Sequence, residues 1–168
     1  MPSIKVNKNN PAGSFFLTLT AKNWFYVFDR QGRWEIIAES LQYCQKNKGI
    51  KLFGFVFMLN HLHLIIMSED IIQFLRSFKT FTSSQIHKNI KATEPSIEKI
   101  FLDKNKKFQL WKSSNMPKCI ESEKFLIQKL EYIHNNPVRK QYVAKPEDWY
   151  WSSANPDCAL KPDPLWES

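Results

Sequence analysis

The stretch from Ile50 to Met67, IKLFGFVFMLNHLHLIIM, limits the possible folds of this chain more than any other segment. It is apolar along most of its length and is interrupted at Leu59 and Asn60, where a tight turn is predicted. Each half has the length and the β-branched or aromatic residues of a strand. The stretch therefore predicts two strands, residues 50–58 and 61–67, paired as an antiparallel hairpin.

The rest of the chain supplies one more strand and several helices. SFFLTLTAK, Ser14–Lys22, alternates in the manner of a strand. Apolar residues at helical spacing predict helices over residues 33–49, 71–91 and 121–136, the last capped by Ser122 and ended by Pro137. Residues 92–115 are less regular, with a short strand expected at 108–111. This order predicts an α+β fold in which helices pack on one face of an antiparallel sheet.

Length and composition favour one globular domain spanning residues 1–168. Residues 1–12 are expected to be a loose lead-in, and the Pro- and Trp-rich residues 146–168 a strap over the body. The three cysteines are far apart, which argues against a disulfide framework and favours a reducing cytoplasm. No signal peptide is apparent, and no apolar run approaches the roughly 18 residues that span a bilayer.

The net charge of +8 favours an anionic partner, of which nucleic acid is the commonest. Residues 71–93 contain four cations and no acid, and DKNKKFQLWKSS surrounds a tryptophan with lysines. Cations contact phosphates, and an aromatic ring between them suits unpaired bases. The residues predicted to contact nucleic acid are Arg76, Lys79, Lys88, Trp111 and Lys112. For each patch the alternative is a solvated helix face or loop.

The residues His61 and His63 are two of only four histidines in the chain. Two residues apart on a strand, they point to the same face, whereas Leu62 and Leu64 point to the other. This spacing suits two ligands of one divalent metal. The alternative is a pair of ordinary strand histidines held by hydrogen bonds, and a metal site would also require a third ligand.

A tyrosine on the last predicted helix is a candidate nucleophile. Tyr132 lies away from the centre of the apolar stripe of that helix, and Asn136 follows one turn later on the same side. Facing the histidine pair, they would provide a nucleophile and a third ligand. The alternative is that Tyr132 only extends the apolar face, with its hydroxyl in water. His134 points elsewhere on the helix.

Three motifs, MLNHLHLIIM, YIHNNPVRKQYV and PEDWYWSS, together resemble the HUH-type tyrosine transposases, in particular the branch associated with repetitive extragenic (REP) sequences. The resemblance covers residues 15–153. It implies a ferredoxin-like antiparallel sheet of the HUH endonuclease type. It also implies that His61, His63 and Asn136 bind Mg²⁺ or Mn²⁺ and that Tyr132 is catalytic. Arg139 and Lys140 fall in the stretch after that tyrosine and are expected to contact DNA.

Two departures from the family pattern concern recognition of the DNA sequence. Gln141 stands where a glycine is usual, and KSSNMPKCI lacks the aromatic, arginine-rich run of relatives. The resemblance implies metal-dependent nicking and rejoining of single-stranded or hairpin DNA through a 5′-phosphotyrosine, by a monomer or a homodimer. The alternatives are a DNA-hairpin-binding module without catalysis and an RNA-binding domain with structural histidines.

Overall fold

The structure, a computed structural model, describes residues 4–5, 12–114 and 117–165. The strands are β1 (Ile4–Lys5), β2 (Gly13–Thr20), β3 (Lys51–Phe57), β4 (His61–Ser68) and β5 (Lys118–Cys119). The α-helices are α1 (Arg33–Asn47), α2 (Ile71–Thr93), α3 (Glu123–His134) and α4 (Asn136–Arg139). Short 3₁₀ helices span Lys22–Trp24, Pro95–Phe101 and Pro146–Asp148.

The sheet has the strand order β1-β5-β2-β4-β3, and every pairing is antiparallel. The order β5-β2-β4-β3 is that of a ferredoxin-like sheet, so the predicted α+β fold class is confirmed. The short strands β1 and β5 were not predicted. The strand expected at 108–111 is wrong, since Phe108 and Trp111 form only isolated bridges, to Leu102 and Ala21.

The hairpin predicted at the centre of the chain is confirmed. The Met58 amide donates to the His61 carbonyl across the turn, at 2.8 Å. The Ala21 amide donates to the Asn60 carbonyl at 2.8 Å, so the turn is also joined to the chain leaving β2. Strand β4 thus lies between β2 and β3, and both edges of its backbone are hydrogen-bonded.

Alternation along β4 gives the sheet two different faces. The leucine face, with Leu62, Leu64 and Ile66, packs against α1 and α2 in the larger core. The histidine face, with His61, His63 and Ile65, packs against α3 over a smaller core. The prediction that all helices share one face is therefore wrong. The apolar stripe of α3 covers a part of the sheet that α1 and α2 leave open.

Helix α3 begins and ends close to its predicted positions. The Ser122 side chain accepts a hydrogen bond from the Phe125 amide, as an N-cap residue does. The helix ends at His134, and Pro137 then occupies the first turn of α4, where its missing N–H costs nothing. The chain therefore turns at Asn135 and resumes as a helix, instead of leaving the sheet at the proline.

Gly54 allows α3 to approach the sheet closely. A Cβ atom on Gly54 would lie 2.5 Å from Leu130 Cδ2 and 3.2 Å from Ile133 Cδ1. Real Cβ atoms essentially never show the first of these distances, and the second is tighter than most real contacts. The absence of a side chain at position 54 therefore helps to set the height of α3, and of Tyr132 with it, above the histidine face.

The C-terminal segment runs along the outer edge of β3. The Phe57 amide donates to the Trp151 carbonyl, and the Ser153 amide donates to the Phe55 carbonyl. The Leu52 amide donates to the Asp163 side chain at 2.8 Å. These bonds protect an edge strand that would otherwise expose unpaired backbone groups. At the other end of the chain, Ile4 and Lys5 form β1, and the rest of the predicted lead-in up to residue 11 lies outside the described residues.

None of the helices in the described part of the chain is long and apolar enough to cross a membrane.

Candidate active site

The imidazole rings of His61 and His63 lie side by side at one end of the histidine face. Their centroids are 4.8 Å apart with the planes nearly perpendicular. Both residues pair with β2, where Thr20 faces His61 and Thr18 faces His63. The His63 ring also stacks on Phe16 at 5.5 Å. The predicted same-face arrangement of the two histidines is therefore present.

The Nδ1 atom of each ring is already hydrogen-bonded. His61 Nδ1 lies 2.7 Å from Asn60 Oδ1, whose Nδ2 donates to the Trp24 carbonyl. Because an amide oxygen only accepts, His61 Nδ1 carries the hydrogen. His63 Nδ1 lies 3.0 Å from the Thr18 hydroxyl. No other described residue hydrogen-bonds either Nε2, so both remain available, as in metal sites where the second nitrogen orients the ring.

Both histidines are neutral at physiological pH. Burial, reinforced by the charge of Lys140, lowers the pKa of His61 to about 4. Burial, reinforced by His61, Arg139 and Lys129, lowers the pKa of His63 to about 3. A neutral imidazole has the lone pair that a metal ion requires.

Helix α3 brings Tyr132 to the histidine pair. The Tyr132 ring lies 5.6 Å from the His63 ring and 6.0 Å from Phe16, edge-on to both. The residue is 43% exposed, so the ring packs against the site while part of the side chain meets solvent. The predicted position of Tyr132, off the centre of the apolar stripe and facing the histidine pair, is therefore present.

Asn136 lies one helical turn after Tyr132, at the start of α4, and is 5% exposed. Its Oδ1 is the one buried side-chain oxygen among the described residues that has no hydrogen-bond partner. An unpaired buried carbonyl oxygen is costly unless a ligand completes it. The described part of the chain contains no group of three or more His, Cys, Asp or Glu side chains that could hold a metal. Asn136 Oδ1 is thus a buried oxygen without a described partner, on the residue one helical turn after Tyr132.

Three cations surround Tyr132 and the histidines. The Arg139 guanidinium lies 4.3 Å above the Tyr132 ring and donates to the Tyr132 carbonyl at 2.8 Å. Lys129 Nζ lies 4.7 Å from the Phe16 ring centroid and 5.3 Å from that of Tyr132. The charge of Lys140 is close enough to help lower the pKa of His61. None of the three forms an ion pair with a described carboxylate, so their charges are not neutralised by direct pairing.

The expectation that Trp111 stacks on bases is wrong. Trp111 is 3% exposed, stacks on Phe28 at 5.3 Å and donates from Nε1 to the Thr82 hydroxyl. An isolated antiparallel bridge joins Trp111 to Ala21, just after β2, and the Trp111 side chain belongs to the larger core. Because both faces of its ring are enclosed, Trp111 is a core residue.

The remaining predicted DNA contacts are separated in space. Arg139 and Lys140 lie beside the histidines. Lys112 lies at the end of β2, where its amide donates to the Thr20 carbonyl. Lys79 is half-buried, and its ammonium donates to the Lys112 carbonyl at 3.0 Å.

Arg76 and Lys88 are not brought to the histidines. Both are exposed on α2, the helix that packs on the leucine face. Beside α2 there is an open cleft of about 550 Å³, whose lining includes Lys79, Ser83, His87, Lys107, Phe108 and Leu110. The basic residues thus form at least two surfaces, of which only one contains the histidines.

Four residues of the site were not assigned a role from the sequence: Thr18, Trp24, Asn60 and Lys129. Asn60 precedes His61 directly, and Lys129 lies one turn before Tyr132, so their positions in the motifs were visible. Thr18 is 45 residues from its partner His63, and only the β2–β4 register brings them together. Trp24 carries no local pattern that distinguishes it from a core tryptophan.

No protein-family model matches the chain, and no curated protein matches its sequence. Among solved structures, a REP-associated tyrosine transposase bound to a REP hairpin is similar, with a TM-score of 0.69 and 16% identity. The similarity covers 100% of this chain and 92% of that one. A putative transposase from Deinococcus radiodurans R1 is more distant, at a TM-score of 0.48 and 19% identity over 79% of this chain and 96% of that one.

At 16% identity, the first similarity establishes the fold. The chain has the antiparallel sheet with packed helices of the REP-associated tyrosine transposase, over its whole length. The resemblance read from the three sequence motifs is thereby confirmed at the level of the fold.

Proposed function

We propose that this protein is a metal-dependent, transposase-like enzyme that nicks and rejoins single-stranded DNA through Tyr132. The observation that carries the proposal is the contact of Tyr132 with His63, the partner of His61 in a pair of neutral imidazoles. The unpaired Asn136 oxygen, one helical turn after Tyr132, and the cations around the Tyr132 ring support it. A purely structural histidine pair explains neither the unpaired buried oxygen nor the three cations. The shared fold of a transposase supports the same conclusion.

The donor set fits a divalent cation. His61 Nε2 and His63 Nε2 are available, and Asn136 Oδ1 has no partner among the described residues. Nitrogen donors alone would also suit zinc, but a hard amide oxygen and the family resemblance favour Mg²⁺ or Mn²⁺. When bound by these three residues, the ion would supply charge neutralisation on a nonbridging oxygen of the scissile phosphate.

The protein residues have separate tasks in the reaction. Tyr132 Oη attacks phosphorus, and the bond from phosphorus to the 3′ oxygen breaks. The phenolic proton passes to solvent, which the exposed part of Tyr132 contacts, and the departing 3′ oxygen takes up a proton. The product is a 5′-phosphotyrosine and a free 3′-hydroxyl. Because the covalent bond conserves the energy of the diester, a 3′-hydroxyl can reverse the step without a nucleotide cofactor.

The cations hold the substrate and stabilise charge. Arg139 is fixed by its bond to the Tyr132 carbonyl, so its guanidinium is already beside the nucleophile before DNA binds. Lys129 approaches the same ring from the preceding turn of α3. Preorganised positive groups next to a developing phosphorane and phenolate lower the barrier because they need little rearrangement.

Hairpin DNA is the proposed partner. The similar structure is that of a transposase bound to a REP hairpin. In this chain the net charge of +8 and the basic surface around Tyr132 suit a phosphate backbone. The expected substrate is a DNA hairpin with a single-stranded flank. The scissile phosphate must come close to Tyr132, which packs against the histidine face of the sheet, and a flexible single strand can do this more easily than a stiff duplex.

Trapping of the covalent adduct tests the proposal. The protein would be incubated with Mn²⁺ and a pool of hairpin oligonucleotides that carry randomised single-stranded flanks and a 3′ fluorophore. After denaturing electrophoresis, the wild type should show a labelled protein band, because the tyrosine retains the 3′ fragment through its 5′ end. Tyr132→Phe should show none while folding normally, since a solvent-facing hydroxyl contributes no more than about 0.5 kcal/mol.

Tyr142→Phe is the matched control, because Tyr142 is 42% exposed and Tyr132 is 43% exposed. The control should keep the adduct. Loss of the adduct in Tyr142→Phe alone would identify Tyr142 as the nucleophile instead. A wild type that binds the hairpins without forming any adduct would indicate a hairpin-binding module. Preference for the same hairpins made of RNA would indicate an RNA-binding domain.

A further inference from the structure

The most exposed large aromatic side chain in the described part of the chain is Trp24, at 62%. Trp24 ends the short 3₁₀ helix that follows β2. Tryptophan has more apolar area to lose from water than any other side chain, so an isolated exposed ring on a structured turn is unusual. The ring is not part of either hydrophobic core.

The backbone that presents Trp24 is strained and firmly held. Asn23 and Trp24 have φ angles of 58° and 52°, in the left-handed region that bulky residues avoid. The Lys22 amide donates to the Leu110 carbonyl at 2.7 Å, and Asn23 Nδ2 donates to the Ile100 carbonyl at 2.9 Å. Strain that the surrounding structure maintains in this way is concentrated at sites that bind ligands.

The same turn is connected to the histidine pair. Asn60 Nδ2 donates to the Trp24 carbonyl at 3.1 Å, and Asn60 Oδ1 accepts from His61 Nδ1 at 2.7 Å. One amide side chain therefore separates the Trp24 backbone from the imidazole of His61. The turn that carries the exposed ring thus lies at the His61 end of the candidate active site.

A lysine is placed over the Trp24 ring. Lys112 Nζ lies 3.7 Å from the ring centroid, in a cation–π contact that holds the ammonium beside the ring. An indole with one face turned to solvent and a cation at its side matches the two parts of a nucleotide, an aromatic base and a phosphate. Surfaces that bind single-stranded DNA combine these same two elements.

We infer that Trp24 stacks on one unpaired base of the DNA flank beside the scissile phosphate, with Lys112 contacting the adjacent phosphate. The inference rests on the proposed function and names the part of the substrate that this turn would bind. It also assigns to Trp24 the base stacking that the sequence predicted for Trp111. Lys112 follows Trp111 in the sequence and contacts the Trp24 ring in space.

The test separates binding from cleavage by using the Tyr132→Phe protein throughout. The probe is a DNA hairpin with a single-stranded flank in which 2-aminopurine replaces one base at a time. Stacking on Trp24 should quench the fluorescence at one flank position. Adding Trp24→Ala should abolish that quenching and weaken binding by roughly tenfold, the order expected for one aromatic–base stack. Trp24→Phe, which keeps a ring, should retain most of both.

Two controls define the surface. Phe81→Ala removes another exposed aromatic, located on α2, and should leave the Kd and the quenching unchanged. Lys112→Gln should reduce the slope of log Kd against log salt concentration by about one, because one phosphate contact is lost. The quenching at the stacked position should remain.

Each remaining outcome decides the matter. If Trp24→Ala binds the hairpin with unchanged affinity and unchanged quenching, the stacking role is overturned and the proposed function stands. If Trp24→Ala also weakens Mn²⁺ binding without DNA, the effect runs through Asn60 and His61, and the stacking role is again overturned. If the Tyr132→Phe protein binds no DNA at all, the proposed function fails and the inference fails with it.

Discussion

The two faces of the sheet differ sharply although they share the same strands. On the leucine face, α1 and α2 enclose Leu62, Leu64 and Ile66, each fully buried, in the larger core. On the histidine face, α3 covers only a smaller core, and beside that core lie two imidazoles, a half-exposed tyrosine and three cations. Consecutive residues of β4 therefore serve different purposes.

This contrast shows how a small domain can carry a polar site without losing its stability. Apolar burial on the leucine face supplies most of the driving force for folding. The histidine face can then tolerate buried neutral imidazoles and an unpaired amide oxygen, which lower stability. The two faces should consequently respond to substitution in opposite ways.

The neighbours His63 and Leu64 give the largest expected difference. His63→Ala removes one metal ligand and should reduce Mn²⁺-dependent adduct formation by about a hundredfold or more, since outer-shell changes alone cost about 10- to 100-fold. Its free energy of unfolding should fall by only about 1–2 kcal/mol, from the lost Thr18 bond and the stack on Phe16. Adduct yield and urea unfolding measure the two effects.

Leu64→Ala is the matched variant on the leucine face. The fully buried leucine should cost about 2–5 kcal/mol of unfolding free energy when truncated. Below its own melting temperature this variant should still bind Mn²⁺ and form the adduct at a rate close to that of the wild type. Equal losses of activity in both variants would mean that the two faces are not functionally separate.

Gly54→Ala should disturb the packing that separates α3 from the sheet. The new Cβ would meet Leu130 Cδ2 at 2.5 Å, so the helix must move or the leucine must change rotamer. We expect the free energy of unfolding to fall by about 2 kcal/mol and adduct formation to slow, because Tyr132 moves with α3. Thermal melting and the adduct assay report on each.

Truncation of the clashing side chain checks the cause. In Gly54→Ala/Leu130→Ala the steric conflict is relieved, so the double variant should be more stable than the sum of the two single changes by about 1 kcal/mol. Strict additivity would show that the closeness of Gly54 and Leu130 does not determine the position of α3.

Glu94 offers a smaller effect, confined to the side of the molecule that holds α1 and α2. Arg33 is fully buried and lies 2.9 Å from a Glu94 oxygen, and Arg30 lies 3.0 Å from the same atom. The hydrogen bond from Arg30, followed by that from Arg33, lowers the pKa of Glu94 below its ordinary value of 4.5. A lowered carboxyl pKa stabilises the fold above pH 4.5, and this contribution is lost as pH falls through the folded-state value.

Glu94→Gln should therefore cost about 1–2 kcal/mol of unfolding free energy between pH 6 and 8. The difference from the wild type should shrink below pH 4.5 as the carboxylate is protonated. Urea unfolding at a series of pH values measures this. Adduct formation at pH 7 should be unchanged, and a difference in stability that does not shrink at all as the pH falls below 4.5 would contradict the ion-pair explanation.

The hydrophobic pattern alone determined most of the secondary structure. It also determined which functional residues lie on the same side of each strand or helix. Alternation along residues 61–67 placed His61 and His63 on one face and the leucines on the other, because strand side chains alternate whatever the partner strand. Helical spacing placed Asn136 one turn after Tyr132. Ser122 marked the start of α3 through a local hydrogen bond.

The tertiary structure decided which elements meet. Thr18 orients His63, α3 covers the face opposite α1 and α2, and Trp111 is buried while Trp24 is exposed. Each of these facts depends on contacts between residues that are far apart in the chain. Local periodicity cannot encode them, because the same pattern is compatible with several strand orders and either side of a sheet. The packing of the whole chain selects one of those arrangements.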